Sequence, residues 1–215
     1  MKKHFYITTP IYYVNDKPHI GHAYTTILAD VLSRYNRQSQ GETFFLTGLD
    51  EHGQKVQEAA SKLGVDPKKH CDTMAPRFTS LWEKLHISND DFIRTTEERH
   101  KKVVKEILQI VMDNGDIYEA EYEGLYSVSE ERFITEKEAE SGAFRDIKKL
   151  KEKNYFFKMS KYQDKLIKHI NSNPNFIQPV HRKNEILGFL KKPLNDLCIS
   201  RPKLRLNWGI ELPFD

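Results

Sequence analysis

The feature that most constrains the fold is a regular alternation of short β-type runs and helical stripes in the first 115 residues. Runs of strand-forming residues occur at Phe5–Ile7, Thr43–Leu46 and Phe92–Arg94. Apolar residues at helical spacing follow each of them, as in the stretch from His19 to Tyr35. This order of strand and helix predicts an α/β protein with a doubly wound parallel sheet.

Local signals predict where several helices begin and end. Asp66 followed by Pro67 is typical of an N-cap and the first position of a helix, and Thr95–Glu98 matches a capping box. Gly64 and Gly115 are well placed as helix stops. The helix after Pro67 carries an apolar stripe that we interpret as core: Met74, Phe78, Leu81, Trp82 and Leu85.

The pattern changes after Gly115, and we interpret residues 116–196 as an α+β domain inserted into the α/β fold. Residues 1–115 precede it, and residues 197–215 are expected to return as a strand to the first fold. The lysines gathered in Ile147–Lys161 fit a solvated charged face. Inside and after the insertion we expect antiparallel strands at Ile117–Val128, a loop-rich stretch at Phe133–Phe157, helices at Ser160–Asn171 and Lys183–Leu190, and strand character at Cys198-Ile199.

Composition narrows the class of protein further. The 34 basic and 31 acidic residues leave a net charge of +3, which is too small to predict nucleic-acid binding without a concentrated basic patch. The two cysteines, Cys71 and Cys198, are far apart in sequence, so neither a disulfide framework nor a cysteine zinc site is expected. No apolar run suits a signal peptide or a membrane span. We therefore expect a cytoplasmic protein without a membrane partner.

The sharpest local signal is His19-Ile20-Gly21-His22, at a predicted helix start. Unpaired backbone N–H groups there favour an anion, and each imidazole can donate a hydrogen bond to a phosphate oxygen. Gly21 lets a base or ribose approach the backbone closely. These features fit an ATP site without a P-loop lysine. Two alternatives remain open: zinc ligation with His52 or Asp50, or ordinary surface histidines.

A second signal, Gly48-Leu49-Asp50-Glu51-His52-Gly53, follows the second predicted strand. Ligands of open α/β sheets bind at the carboxyl ends of the strands, so this loop and the His19 loop can face one crevice. The Asp50 carboxylate could hold an ammonium group there. The alternative is a turn with a helix cap, since Asp and Gly are common turn residues.

Read together, these segments resemble the class I aminoacyl-tRNA synthetases, and within them the bacterial methionyl branch. The resemblance extends over the whole chain. The segments that carry it, in order, are Thr8–Tyr13, Asn15, His19–His22, Thr47–Lys55, Asn89–His100, Gly115–Tyr118, Glu121–Gly124, Arg182–Glu185 and Ile199–Pro202.

The resemblance implies a Rossmann-like catalytic fold interrupted by a connective-peptide domain. It implies activation of L-methionine by ATP with Mg²⁺, through methionyl-adenylate, and transfer to tRNA(Met) by the full-length enzyme. By analogy His19 and His22 hold the phosphates, with Gly21 beside them, and Arg201 reaches the phosphates or adenylate. By the same analogy Asp50 binds the α-ammonium of methionine, and Ile11 and Tyr13 line the methionine pocket.

Several departures from the family's pattern qualify this picture. Ser127 and Glu130 stand where many relatives have cysteines of a zinc knuckle, so no structural zinc is expected. Leu49 stands where threonine is more usual. Lys158-Met159-Ser160-Lys161 spells most of the family's catalytic lysine motif, but Tyr162 follows and the segment lies in the insertion, so we interpret it as structural.

The resemblance also implies that these 215 residues correspond to the N-terminal part of the family's enzymes. The chain alone is therefore expected not to activate methionine at a useful rate. Two other functions stay open. One is another adenylyl- or nucleotidyltransferase with a His-x-Gly-His loop. The other is a non-catalytic truncated synthetase.

Overall fold

The computed structural model describes residues 4–39, 41–129 and 132–215 of the chain. The backbone divides into two compact units. The first comprises the chain up to Ile107 together with Leu206–Asp215, and the second is Leu108–Arg205. Within the described residues, no helix is both long enough and apolar enough to cross a membrane.

The first unit is built on a parallel sheet, as the strand–helix alternation predicted. Strand β3 has β1 and then β2 along one side and β4 along the other, and all these pairs are parallel. The elements are β1 (His4–Thr8), β2 (Tyr12–Tyr13), α1 (Ile20–Gln38), β3 (Glu42–Asp50), α2 (Gln54–Lys62), α3 (Pro67–Lys84), β4 (Asp91–Arg94) and α4 (Glu98–Asp113), which continues into the second unit at Leu108.

The core of this unit lies between the sheet and α3. The stripe predicted as core is confirmed, because Met74, Phe78 and Trp82 are buried while Leu81 and Leu85 pack against them. Helix α3 also contributes Cys71, and the sheet and its neighbouring segments contribute Tyr12, Val14, Leu49 and Val56 to the same cluster. Leu49 is fully buried there, so the leucine that departs from the family's pattern serves as a core residue.

Helix α3 begins as local chemistry predicted. The Asp66 carboxylate accepts hydrogen bonds from the backbone N–H groups of Lys68 at 2.8 Å and Lys69 at 3.3 Å, and Pro67 is the first helical residue. Two of the donors that a helix leaves unpaired at its N-terminus are satisfied in this way. Gly64 follows α2 with φ of 65°, a conformation that glycine adopts without strain.

The second unit carries an antiparallel sheet in the order β6, β5, β7, β8. Its short 3₁₀ helix at Met159–Tyr162 leads directly into the first of its two longer helices. The other elements are β5 (Ile117–Ser127), β6 (Arg132–Ile134), α5 (Glu136–Glu140), β7 (Ile147–Phe157), α6 (Gln163–Ser172), α7 (Val180–Phe189) and β8 (Leu197–Cys198).

The loop-rich assignment of Phe133–Phe157 was wrong, because β7 occupies its second half. This strand pairs with β5 along all eleven of its residues. The exposed face of the ribbon carries three diagonal ion pairs, with N–O distances of 2.7 to 3.4 Å: Lys149–Glu123, Lys151–Glu121 and Lys153–Glu119. These three lysine side chains are 59 to 71% exposed, so the charged face predicted for them is confirmed.

The chain leaves the second unit later than the sequence indicated. Strand β8 was expected to return to the parallel sheet, but it pairs with the end of β7 in the antiparallel sheet. The residues that group with the first unit begin at Leu206. The apolar pair Leu197-Cys198 finds its backbone partners in the neighbouring Phe156-Phe157, which is why the sequence pattern alone misplaced it.

The Lys158–Lys161 segment makes structural contacts at the start of the second unit. The Lys158 ammonium donates to the carbonyl of Gly115 at 2.7 Å. The Lys161 ammonium forms an ion pair with the buried Asp116 carboxylate at 2.5 Å. Both lysines therefore hold the beginning of this unit, in agreement with the structural interpretation of the motif.

Candidate active site

The polar residues singled out in the first unit follow the carboxyl ends of neighbouring parallel strands. Tyr13 and Asp50 are register partners at the ends of β2 and β3. Helix α1 starts after β2, so its N-terminus lies on the same edge of the sheet, where α/β proteins bind ligands. The structure thus brings the His19 loop and the Asp50 loop to one edge.

The two imidazoles of the His-x-Gly-His motif are organised by the start of α1. His19 is the N-cap, and its Nδ1 accepts a hydrogen bond from the backbone N–H of Gly21 at 3.1 Å. The backbone N–H of His19 in turn donates to Nδ1 of His22 at 3.2 Å. The rings stack with centroids 3.8 Å apart. The predicted helix start is therefore confirmed, and it fixes both side chains relative to each other.

These contacts determine which ring nitrogen carries the proton. A nitrogen that accepts a hydrogen bond has no proton of its own, so each neutral imidazole is protonated on Nε2. The N-terminus of a helix with two such donors is suited to an anion such as a phosphate group.

His22 is held in a less polar environment than His19. His19 is exposed, whereas His22 is partly buried against the rings of Tyr12 and Phe78, at centroid distances of 4.7 and 5.5 Å. This burial lowers the pKa of His22, and the neighbouring imidazole of His19 lowers it further. A neutral His22 keeps its Nδ1 lone pair free to accept the hydrogen bond from the His19 backbone.

Gly21 leaves the space in which the His19 ring lies. A Cβ at this position would come within 3.0 Å of Cε1 and 3.1 Å of Nδ1 of His19. Contacts this short would push the ring away from the N–H that it caps. The glycine is therefore needed for the cap as well as for the approach of a ligand.

We predict that Gly21→Ala gains none of the stability that alanine normally adds to a helix. Gly188→Ala in α7 is the matched control, since no atom lies within 4 Å of the position that a new Cβ would take there. Gly188→Ala should raise the free energy of opening of α7 by about 0.5–1 kcal/mol. In Gly21→Ala, loss of the His19 cap should cancel the corresponding gain in α1. Amide hydrogen exchange along each helix measures the two effects separately. Equal protection in both variants would contradict the role assigned to Gly21.

The three residues predicted for a methionine pocket differ in exposure. Ile11 is 41% exposed just before β2, and Tyr13 and Asp50 are partly buried side by side. The ammonium of Lys55 lies 5.9 Å from the centre of the Tyr13 ring. An apolar side chain, an aromatic ring and a carboxylate therefore lie at this end of β2 and β3. Their assigned roles stay predictions.

Glu51 is a residue whose importance the sequence interpretation missed. Its side chain is fully buried, accepts a hydrogen bond from Thr96, and pairs with Nε of Arg94 at 2.6 Å. Arg94 also reaches Asp72 at 2.6 Å. The network ties the end of β3 to the end of β4, directly beside Asp50. The available signal was the acidic Glu51 in the loop after one predicted strand and the basic Arg94 at the end of another.

His52 has a structural contact that bears on the zinc alternative. Its Nε2 donates to the carbonyl of Thr95 at 3.2 Å, and its ring lies 5.3 Å from that of Trp208. Burial lowers the pKa of His52. Within the part of the chain that the structure describes, no group of three or more His, Cys, Asp or Glu side chains is arranged to hold a metal ion.

The remaining predicted residues belong to the second unit. The Arg201 guanidinium lies 5.4 Å from the centre of the Tyr126 ring, and its Nη1 donates to the carbonyl of Ser200 at 2.7 Å. The Ser127 hydroxyl is buried between Ser129, 3.0 Å away, and the carbonyl of Arg145, 3.3 Å away. Glu130, the other position compared with a zinc knuckle, lies outside the described residues.

The structure shows an α/β protein whose first long helix begins, with two stacked imidazoles, at the ligand-binding edge of a parallel sheet. A sequence model described as tRNA synthetases class I (M) matches residues 5–143 and 139–215. The chain therefore belongs to this family of class I tRNA synthetases. Membership decides against the smaller nucleotidyltransferases that share a His-x-Gly-His loop.

Curated relatives identify the branch of the family. The chain is 53% identical over 219 residues to the methionine–tRNA ligase of Fusobacterium nucleatum and 52% identical over 221 residues to that of Rickettsia bellii. Both matches take in 100% of this chain, but only 34% and 43% of the relatives. The chain thus spans less than half the length of the curated proteins that it matches.

Solved structures give the same likeness in three dimensions. A Mycobacterium tuberculosis methionyl-tRNA synthetase in complex with methionyl-adenylate matches with a TM-score of 0.92 and 40% identity, over 98% of this chain and 43% of that one. The free form of the enzyme matches with a TM-score of 0.77 and 37% identity. The Rossmann-like class I fold inferred from the sequence is confirmed.

Proposed function

We propose that this chain supplies the ATP- and methionine-binding part of a methionine–tRNA ligase. The observation that carries the proposal is the start of α1, where Nδ1 of each of two stacked imidazoles accepts a backbone hydrogen bond and Nε2 is left as the donor. They lie at the sheet edge where Tyr13 and Asp50 end their strands. The names of the relatives and the methionyl-adenylate of the M. tuberculosis complex support the choice of substrate.

In the proposed reaction, a carboxylate oxygen of methionine attacks the α-phosphorus of ATP. The new O–P bond forms as the bond to the β-phosphate breaks, so the products are methionyl-adenylate and pyrophosphate. His19 and His22 donate their Nε2–H groups to phosphate oxygens whose negative charge increases in the transition state. The Asp50 carboxylate holds the α-ammonium, and Ile11 and Tyr13 contact the side chain. This catalysis consists of positioning and electrostatic stabilisation.

Further parts of the proposal rest on the family. ATP is expected to bind with Mg²⁺, which neutralises phosphate charge. The methionyl group then passes to the 3′ end of tRNA(Met), with the second unit, Leu108–Arg205, acting as the inserted connective-peptide domain. Arg201 is assigned to the phosphates or adenylate by its place in the family's motif. A cytoplasmic location is part of the proposal, since Cys71 and Cys198 are both free thiols.

A chimera tests the proposal directly. In it, this chain replaces the matching segment of the Fusobacterium nucleatum ligase, and methionine-dependent exchange of pyrophosphate into ATP is measured. We expect exchange within about tenfold of the parent enzyme, because the identity of the two segments is 53%. The same assay with leucine or isoleucine is the specificity control. A folded chimera that shows no methionine-dependent exchange would overturn the proposal.

A further inference from the structure

Tyr12 lies between the two residues predicted for the methionine pocket, but on the other face of the sheet. Successive side chains of a strand alternate, so Tyr12 points away from the side taken by Ile11 and Tyr13. It is 5% exposed, whereas Ile11 is 41% exposed. Tyr12 therefore packs inside the first unit, against α1 and α3, and no role was assigned to it from the sequence.

The Tyr12 hydroxyl is bonded to the first turns of α1. It lies 2.7 Å from Oγ1 of Thr26 and 3.3 Å from the carbonyl oxygen of His22. The Thr26 hydroxyl, itself fully buried, lies 3.0 Å from the same His22 carbonyl. The two hydroxyls share three contacts with two protons, so either Tyr12 donates to Thr26 and Thr26 to the carbonyl, or Thr26 donates to Tyr12 and Tyr12 to the carbonyl. The network ends on the backbone of His22.

The ring of Tyr12 acts on the same histidine. It meets the His22 ring at a centroid distance of 4.7 Å and an angle of 48°. Tyr12 is in turn stacked parallel to Phe78 at 6.3 Å and tilted against Trp82 at 5.9 Å. These contacts exclude water from one side of the His22 imidazole and restrict the positions that the ring can take.

We propose that Tyr12 is a positioning residue that holds His22 neutral and in place to donate its Nε2–H group to the α-phosphate region of ATP. The proposal rests on the function proposed above for His22. The Tyr12 hydroxyl, together with that of Thr26, holds the His22 backbone carbonyl, and the Tyr12 ring packs at a tilt against the imidazole. The neutral imidazole can then accept the His19 N–H on Nδ1, which completes the start of α1.

The groups that act on the charge of His22 define the expected pH dependence. Burial lowers its pKa, and the neighbouring imidazole of His19 at the start of the same helix lowers it further. On the side of β2 and α3 it meets the phenol of Tyr12 and the ring of Phe78. Because the folded pKa lies below the unfolded value of 6.5, the unfolded chain binds the proton more readily. The contribution of neutral His22 to the stability of the folded chain is therefore complete above pH 6.5 and is lost as the pH falls below that value.

Nuclear magnetic resonance of the 215-residue chain tests this role without any substrate. The ring carbons and nitrogens of His22 should titrate with a midpoint below 6.5 in the unaltered chain. Tyr12→Phe and Thr26→Val should each raise the midpoint toward 6.5, and Tyr12→Leu, which removes the ring, should raise it most. The double change Tyr12→Phe with Thr26→Val should add little to either change alone, since both break one network. Tyr35→Phe, on an exposed tyrosine of α1, is the matched control.

Kinetics in the chimera give the second readout. Tyr12→Phe should lower kcat of pyrophosphate exchange about five- to tenfold, the scale of one hydrogen bond, and leave KM for methionine within about twofold. If His22 titrates identically in all variants, or if kcat of folded Tyr12→Phe is unchanged, the positioning role is overturned while the proposed function stands. If His22 responds as expected but the unaltered chimera shows no exchange, the proposed function fails and Tyr12 still orients His22.

Discussion

Replacing His22 by alanine in the chimera is expected to slow methionyl-adenylate formation about a hundredfold, the usual effect of removing one hydrogen-bond donor from a charge-stabilising site. The loss should fall mainly on kcat, because the phosphate charge that Nε2–H stabilises develops in the transition state. The measurement is the single-turnover rate of adenylate formation at saturating ATP and methionine. The structural basis is the pair of Nε2–H donors at the start of α1.

His19→Asn separates catalysis from helix capping in the same experiment. Asparagine is among the best N-cap residues, so α1 should still start correctly, but the donor no longer reaches as far. A similar hundredfold loss is expected. Lys158→Ala and Lys161→Ala are the matched controls, because both lysines hold the start of the second unit. Their rates per folded molecule should change by less than about threefold. If the lysine variants lost as much activity as the histidine variants, the structural interpretation of Lys158 and Lys161 would be wrong.

Glu51→Ala is expected to destabilise the first unit by about 3 kcal/mol, because it leaves the buried Thr96 hydroxyl without its acceptor and the half-buried Arg94 guanidinium with Asp72 alone. The carboxylate is fully buried between Arg94 and Thr96. A loss of this size is a large part of the total stability of a domain. Urea unfolding followed by the fluorescence of Trp82 and Trp208, both in this unit, measures it.

Two further variants sharpen this test. Glu51→Gln keeps the shape and one acceptor oxygen, so it should cost less than half as much as alanine. Glu83→Ala, at an exposed glutamate of α3, should change stability by no more than about 0.5 kcal/mol. Equal unfolding midpoints for Glu51→Ala and Glu83→Ala would contradict the role of the Glu51 network.

Recognition of the candidate site depended on residues whose chemistry is local. The His19 N-cap, the glycine beside it and the acidic loop after a strand all leave a trace over fewer than ten residues. The partners that hold them leave no such trace. Tyr12 reaches His22 only because β2 packs beside α1, and Arg94 reaches Glu51 from 43 residues away, so neither arrangement is visible in a short pattern.

The sequence alone determined the α/β class, the start of α1 at His19 and the core stripe of α3. Each depends on short-range periodicity or on a side chain capping its own helix. Only the tertiary structure decided that Ile147–Phe157 is a strand and that Leu197-Cys198 pairs with it. It also decided that Glu51 is buried. The lysines of β7 are stabilised in a strand by the glutamates of the neighbouring β5. The Glu51 carboxylate can be buried because the fold brings the Arg94 guanidinium to it.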